Sequence, residues 1–115
     1  MGCHCSSQLA PIYKGDNATV KIQVLQPDGS YMNFNGKTVK FIIKQNKSSA
    51  DEKAIVFREM SPTEDTTELE VVLTQQETDV NIGTYWYGVR IITNGYQTTE
   101  GEGQVEIKQG PFNGK

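Results

Sequence analysis

The sequence predicts an all-β sandwich of seven to eight short antiparallel strands with one short helical turn. Three observations carry that prediction. Apolar and polar residues alternate with a period of two in segment after segment. Turn-forming residues interrupt those segments about every 8–12 residues. The stretch 68–91, ELEVVLTQQETDVNIGTYWYGVRI, runs from a strand through a capped polar turn into an aromatic strand. A sandwich crosses between its sheets in that order.

Residues 1–10 (MGCHCSSQLA) have no period and form a tail ahead of the domain. Ile12 and Tyr13 make a short first strand, and Lys14-Gly15-Asp16-Asn17 turns by composition. Across 18–25, Ala18, Val20, Ile22 and Val24 alternate with Thr19, Lys21 and Gln23. Pro27-Asp28-Gly29-Ser30 is a β-turn signal, and 33–36 turns again. In 38–44, Val39, Phe41 and Ile43 share one face while Ile42 stands opposite, which predicts a strand covered locally on both sides. A polar loop over 45–53, a strand over 54–60 and a breaker-rich turn over 61–67 follow.

In 68–73, Leu69, Val71 and Leu73 alternate inward, and Thr74 with Glu77 spells a T-x-x-E capping box that closes one helical turn. Gly83 turns the chain into Thr84-Tyr85-Trp86-Tyr87, with Tyr85 and Tyr87 on one face and Trp86 on the other. Tyr85 falls where a sandwich corner tyrosine belongs, and Tyr87 where immunoglobulin domains put a core cysteine. Asn94-Gly95 signals a type I′ hairpin. Residues 96–100, a Gly-Glu-Gly break at 101–103 and a strand over 104–108 finish the domain. The expected organisation is a tail over 1–10, the sandwich over 11–109 and a polar tail over 110–115. The strand at Ile12 and Tyr13 and that at 54–60 are the expected sheet edges, because each is short and borders a polar loop.

At 115 residues the chain suffices for one domain with a core. Its 11 Lys plus Arg against 14 Asp plus Glu give a net charge of −3, a poor basis for gripping nucleic acid phosphates. No apolar run approaches a membrane span, and no charged-then-apolar leader opens the sequence. Both cysteines, Cys3 and Cys5, lie in the tail, so the sandwich is expected to hold without disulfides.

Chemistry-bearing residues are few. Cys3, His4 and Cys5 offer three soft ligands, one short of a zinc site, so a metal would have to bridge chains. The bland reading is a tail that oxidises on handling. The same tail, M-G-C-H-C-S, fits an acylation pattern at Gly2, yet nothing else suggests a membrane role. Acidic pairs such as Glu64-Asp65 and Glu100/Glu102 fall in turns or on a solvent face, not in a cleft that would split two pKa values. Neither a G-x-S-x-G nor a P-loop pattern occurs. No catalysis, no cofactor and no resident metal are expected. Trp86, alone on the outward face of its strand, is the ring to watch for binding, and Tyr31, Phe34 and Tyr96, in or beside turns, either rim a contact surface or cap the sandwich ends. Trp86 and these turn aromatics also admit a carbohydrate-binding or adhesive alternative.

Six motifs then suggest a family. K-G-D-N-x-T-V-x-I-x-V (14–24), D-G-S (28–30) and T-V-K-F-I-I-K (38–44) open the pattern. L-x-V-x-L-T-x-x-E-T (69–78), G-T-Y-W-Y-G-V (83–89) and T-T-E-G-E-G-x-V-E-I (98–107) continue it. Together they resemble the immunoglobulin-like N-terminal domain of phage baseplate upper proteins and tail-fibre adaptors, over about residues 12–108. The resemblance implies a structural virion component, made in the bacterial cytoplasm and built into the tail by contacts with other tail proteins, with self-association as a trimer or higher ring. It implies neither nucleic acid nor membrane as partner. The larger proteins continue into coiled-coil and receptor-proximal regions, whereas this sequence stops at Lys115, as a stand-alone accessory protein or an excised module would. The Cys3-His4-Cys5 tail has no counterpart in the resemblance.

Overall fold

Two sheets pack face to face across residues 11–110, the part of the chain that the computed structural model describes. The strands are β1 (Ile12–Tyr13), β2 (Ala18–Ile22), β3 (Thr38–Lys44), β4 (Val56–Met60), β5 (Leu69–Leu73), β6 (Gly83–Thr93) and β7 (Tyr96–Lys108). One helical turn, α1 (Gln75–Thr78), and a 3₁₀ turn at Asp51–Lys53 complete the set. The larger sheet has the order β1-β7-β6-β3-β4, and the smaller pairs β2 with β5. The expected all-β sandwich is the fold observed.

Alternation decides which side chains go inside. Val39, Phe41 and Ile43 of β3 face Val71 and Leu73 of β5 and Ile22 of β2, all nearly inaccessible. Tyr85, Tyr87, Val89 and Ile91 supply the inner row of β6. Phe41 and Tyr87, on adjacent strands of the larger sheet, stack with ring centroids 6.4 Å apart and add aromatic packing to the core.

The joints between sheets use the polar residues of the quoted motifs. Thr74 and Glu77 form the complete capping box expected of them. The buried Thr78 hydroxyl donates to the Asp16 carbonyl at 2.7 Å, Asn17 donates to the Leu73 carbonyl, and Lys14 pairs with Asp79 at 2.9 Å. The turn at 14–17 is thereby fastened to the corner between β5 and β6. There Tyr85 completes a tyrosine corner, its hydroxyl donating to the Asn81 carbonyl at 2.7 Å. Burial raises the pKa of Tyr85, an effect partly offset by Lys14, so the phenol remains a donor.

Several boundaries differ from the sequence expectation. The strand predicted over 18–25 ends at Ile22; Val24 stays buried, but Leu25 turns to bridge Tyr31. The strand predicted over 54–60 begins at Val56, because Asp51–Lys53 forms a 3₁₀ turn within the loop ahead of it. The Gly-Glu-Gly stretch does not break the chain: β7 runs from Tyr96 to Lys108. Val89 pairs with Gly101 and Arg90 with Thr99, so Glu100 is the extra residue of a bulge that absorbs the irregularity without ending the strand. One pairing is parallel where antiparallel was expected. β1 lies beside β7 in the same direction, since it joins the sheet from the far end of the chain and needs no hairpin. Asn94 (φ 51°) and Gly95 (φ 81°) both take positive φ, as a type I′ turn requires.

Candidate functional site

The outer face of the five-stranded sheet collects the outward residues of four strands into rows fixed by register. Phe57, Ile42, Gly88 and Glu102 lie in one row across β4, β3, β6 and β7. On one side of it runs the row Glu59, Lys40, Arg90 and Thr99, and on the other Lys44, Trp86 and Gln104. Since same-face residues alternate along each strand, these rows form one continuous patch.

The patch has an apolar floor with a charged rim. Gly88 carries no side chain beside Ile42, Phe57 and Trp86, leaving a depression of about 200 Å³. Phe57 is 45% exposed, a large apolar ring in water at the sheet edge. Ile42 is half-buried, so the expected cover on its outer side is partial: neighbouring side chains shield it, and no second layer packs there among the described residues.

Cations frame the floor. Lys47, from the β3–β4 loop, sets its ammonium 5.0 Å from the Trp86 ring centroid and 3.8 Å from a Glu102 carboxylate oxygen. Both partners of that ion pair are more than half exposed, so it is weak and exchangeable. Lys44 donates to the Ser49 carbonyl at 2.7 Å, which draws the loop down against the sheet. Lys40 and Arg90, adjacent in register, carry the positive charge at the opposite end.

The site residues expected from the sequence separate in space. Trp86 is on the outer face and half-buried in the row beside Gly88, outward as its alternation implied. Tyr96, 73% exposed, pairs with Thr93, seven residues beyond Trp86 along β6 and thus about 23 Å away. Tyr31 is 48% exposed on the short bridge to Leu25 and does not line the depression. Phe34 is no contact residue: its exposure is 0% and its ring belongs to the core. The cause is local. Phe34 N–H donates to the Thr66 carbonyl, and Asn33 and Asn35 both donate to the Asp65 carboxylate. These bonds clamp the turn onto the β4–β5 loop and aim the intervening ring inward. They also hold the exposed Asp65 carboxyl below its ordinary pKa, through the Asn33 bond first and the Asn35 bond second.

Phe57, Gly88 and the basic rim were not singled out from the sequence, and Ile42 was singled out only as the outward apolar residue of its strand. The alternation of Lys40, Ile42 and Lys44 marks an outward row, yet only the cross-strand register shows what lies beside it. Cys3, His4 and Cys5 lie outside the described residues. Among the described residues, no group of three or more His, Cys, Asp or Glu side chains could hold a metal ion, and no helix is long and apolar enough to cross a membrane. No protein-family model and no curated protein matches the chain.

Proposed function

We propose that this chain is a non-enzymatic assembly module of a phage or prophage tail, serving baseplate or fibre attachment through contacts with other virion proteins. The observation that carries the reading is the outer sheet face, where Trp86, Phe57 and Ile42 sit on strands inside a charged rim. An aromatic centre with a polar rim is the composition of a protein contact patch. The tail assignment itself rests on the sequence resemblance, whose quoted residues Lys14, Asn17, Thr78 and Tyr85 serve as joints of the sandwich. Self-association as a trimer or higher ring would use β1 and β4, the two ends of the five-stranded sheet.

A carbohydrate-binding reading also centres on Trp86. It is the weaker one, because the Lys47 ammonium lies over the ring where a pyranose would stack. The test is absolute mass by light scattering, on the full chain and on Phe57→Glu. A trimer or larger species that loses mass in the variant supports the assembly reading. A wild-type monomer at every concentration removes self-association, and fluorescence of Trp86 that responds to host glycans would favour the carbohydrate reading.

A further inference from the structure

We propose that the depression at Gly88 receives an extended acidic segment of a partner protein, with one apolar side chain seated between two carboxylates. This inference rests on the assembly reading of the same face and names the chemistry of its occupant.

The argument begins with charge. The depression is lined by Lys40, Lys44, Lys47 and Arg90 against a single acid, Glu102, in a chain whose net charge is −3. A cationic patch on an acidic protein attracts an anionic partner and repels a second copy of itself laid face to face. The positive charge comes from the two middle strands and from Lys47 of the β3–β4 loop. Glu59 on β4 and Glu102 on β7 bound it on either side in register, so a continuous row of phosphates would meet carboxylates at both margins. Carboxylates carried singly along one strand-like segment would not.

Spacing then defines the segment. Lys40 and Lys44 are four residues apart on β3, about 13 Å along the strand, with Ile42 midway. Lys40 shares its row with Arg90, and Lys44 shares its row with Trp86, on which Lys47 rests. An extended ligand running along β3 and β6 turns alternate side chains to the face at the same spacing. Its residues therefore read acid, any, apolar, any, acid. The first acid meets Lys40 and Arg90, and the last meets Lys47, which exchanges its weak contact with Glu102 for it. The apolar side chain fills the space over Gly88, beside Ile42. This chain does not supply such a segment. Its acids at that spacing, Glu64/Glu68 and Glu102/Glu106, have Thr66 and Gln104 between them.

The probe is a fluorescein-labelled synthetic peptide with the core glutamate–serine–phenylalanine–serine–glutamate, titrated with the full chain and read by polarisation and by Trp86 emission. Expected is saturable binding with a dissociation constant below about 1 mM. It should weaken at least about tenfold in Lys40→Glu/Arg90→Glu and several-fold when salt rises from about 0.05 to 0.5 M. Gly88→Ala should also weaken it: an added Cβ meets Ile42 Cγ2 at 3.6 Å, an ordinary contact, so the fold stays intact while the depression fills. Thermal melts of each variant confirm that loss of binding is not loss of fold. The proposal is overturned if the folded wild type shows no saturable binding, or binds the glutamine-substituted peptide equally. Preference for labelled oligothymidylate over the peptide overturns it as well and reassigns the face to nucleic acid. Self-association without peptide binding removes this inference alone, while a wild-type monomer that binds the peptide removes only the self-association reading.

Discussion

Arg58 grips Glu77 with both terminal guanidinium nitrogens, at 2.7 and 2.6 Å, and so ties the edge of the five-stranded sheet to the helical turn beside the two-stranded one. The same guanidinium donates to the Val72 carbonyl at 3.1 Å, and Glu77 also accepts from the Thr74 backbone. One residue pair thus serves the capping box, the open edge of β4 and the sheet-to-sheet joint. The bidentate form fixes geometry as well as charge.

Acid should therefore loosen this joint first. Hydrogen bonding from Arg58, then from Thr74, pulls the Glu77 carboxyl from its ordinary 4.5 to about 2, against the opposing effect of burial. The folded protein holds fewer protons than the unfolded chain between those values, so this stabilisation is full above about pH 5.5 and fades as pH falls to about 2. It amounts to at most about 3 kcal/mol, less where solvent screens the pair. Glu77→Gln should flatten the acid limb of a pH-dependent urea denaturation series. An unchanged acid limb would show that the pair does not contribute.

Removal of the Tyr85 hydroxyl tests the corner. Tyr85→Phe keeps the buried ring but deletes the bond to the Asn81 carbonyl, and should cost about 1 kcal/mol in equilibrium unfolding. A neutral result would mean that water replaces the phenol at no cost.

Phe34 and Tyr96 make a contrasting pair. Phe34→Ala opens a cavity in the core and should cost about 3–5 kcal/mol or prevent folding. Tyr96→Ala, at a ring 73% exposed, should change stability by less than about 0.5 kcal/mol. Thermal melts of the two variants decide it, and similar losses would contradict the burial described.

The hairpin at Asn94 and Gly95 depends on positive φ at both residues. Gly95→Ala should cost about 1 kcal/mol, because the φ of 81° is strained for any residue with a Cβ although nothing crowds the site. Asn94→Gly should be nearly neutral by the same measurement.

Lys47→Met should alter Trp86 emission while changing stability by less than about 1 kcal/mol, since the ammonium above the ring is exposed. As Trp86 is the single tryptophan, the signal has one source. Unaltered emission would mean that Lys47 does not rest on the ring in solution.

The sequence by itself determined the local rules of this protein: which residues alternate inward on β3, β5 and β6, where Thr74 and Glu77 cap a helical turn, and where Asn94-Gly95 reverses the chain. Each depends on side chains a few residues apart, and so is written along the chain. It also marked Trp86 as outward, because alternation alone sets that. Only the tertiary structure decided that Phe57, Ile42 and Gly88 share a row, that Arg58 reaches Glu77, and that β1 joins β7 in parallel. Those are relations between strands far apart in sequence, set by register and packing across the sheet. Phe34 shows the limit most plainly. Its turn composition signals exposure, but hydrogen bonds from Asn33 and Asn35 to the distant Asp65 turn it into the core. A contact face is assembled across strands, and alternation along any one of them supplies only a single row.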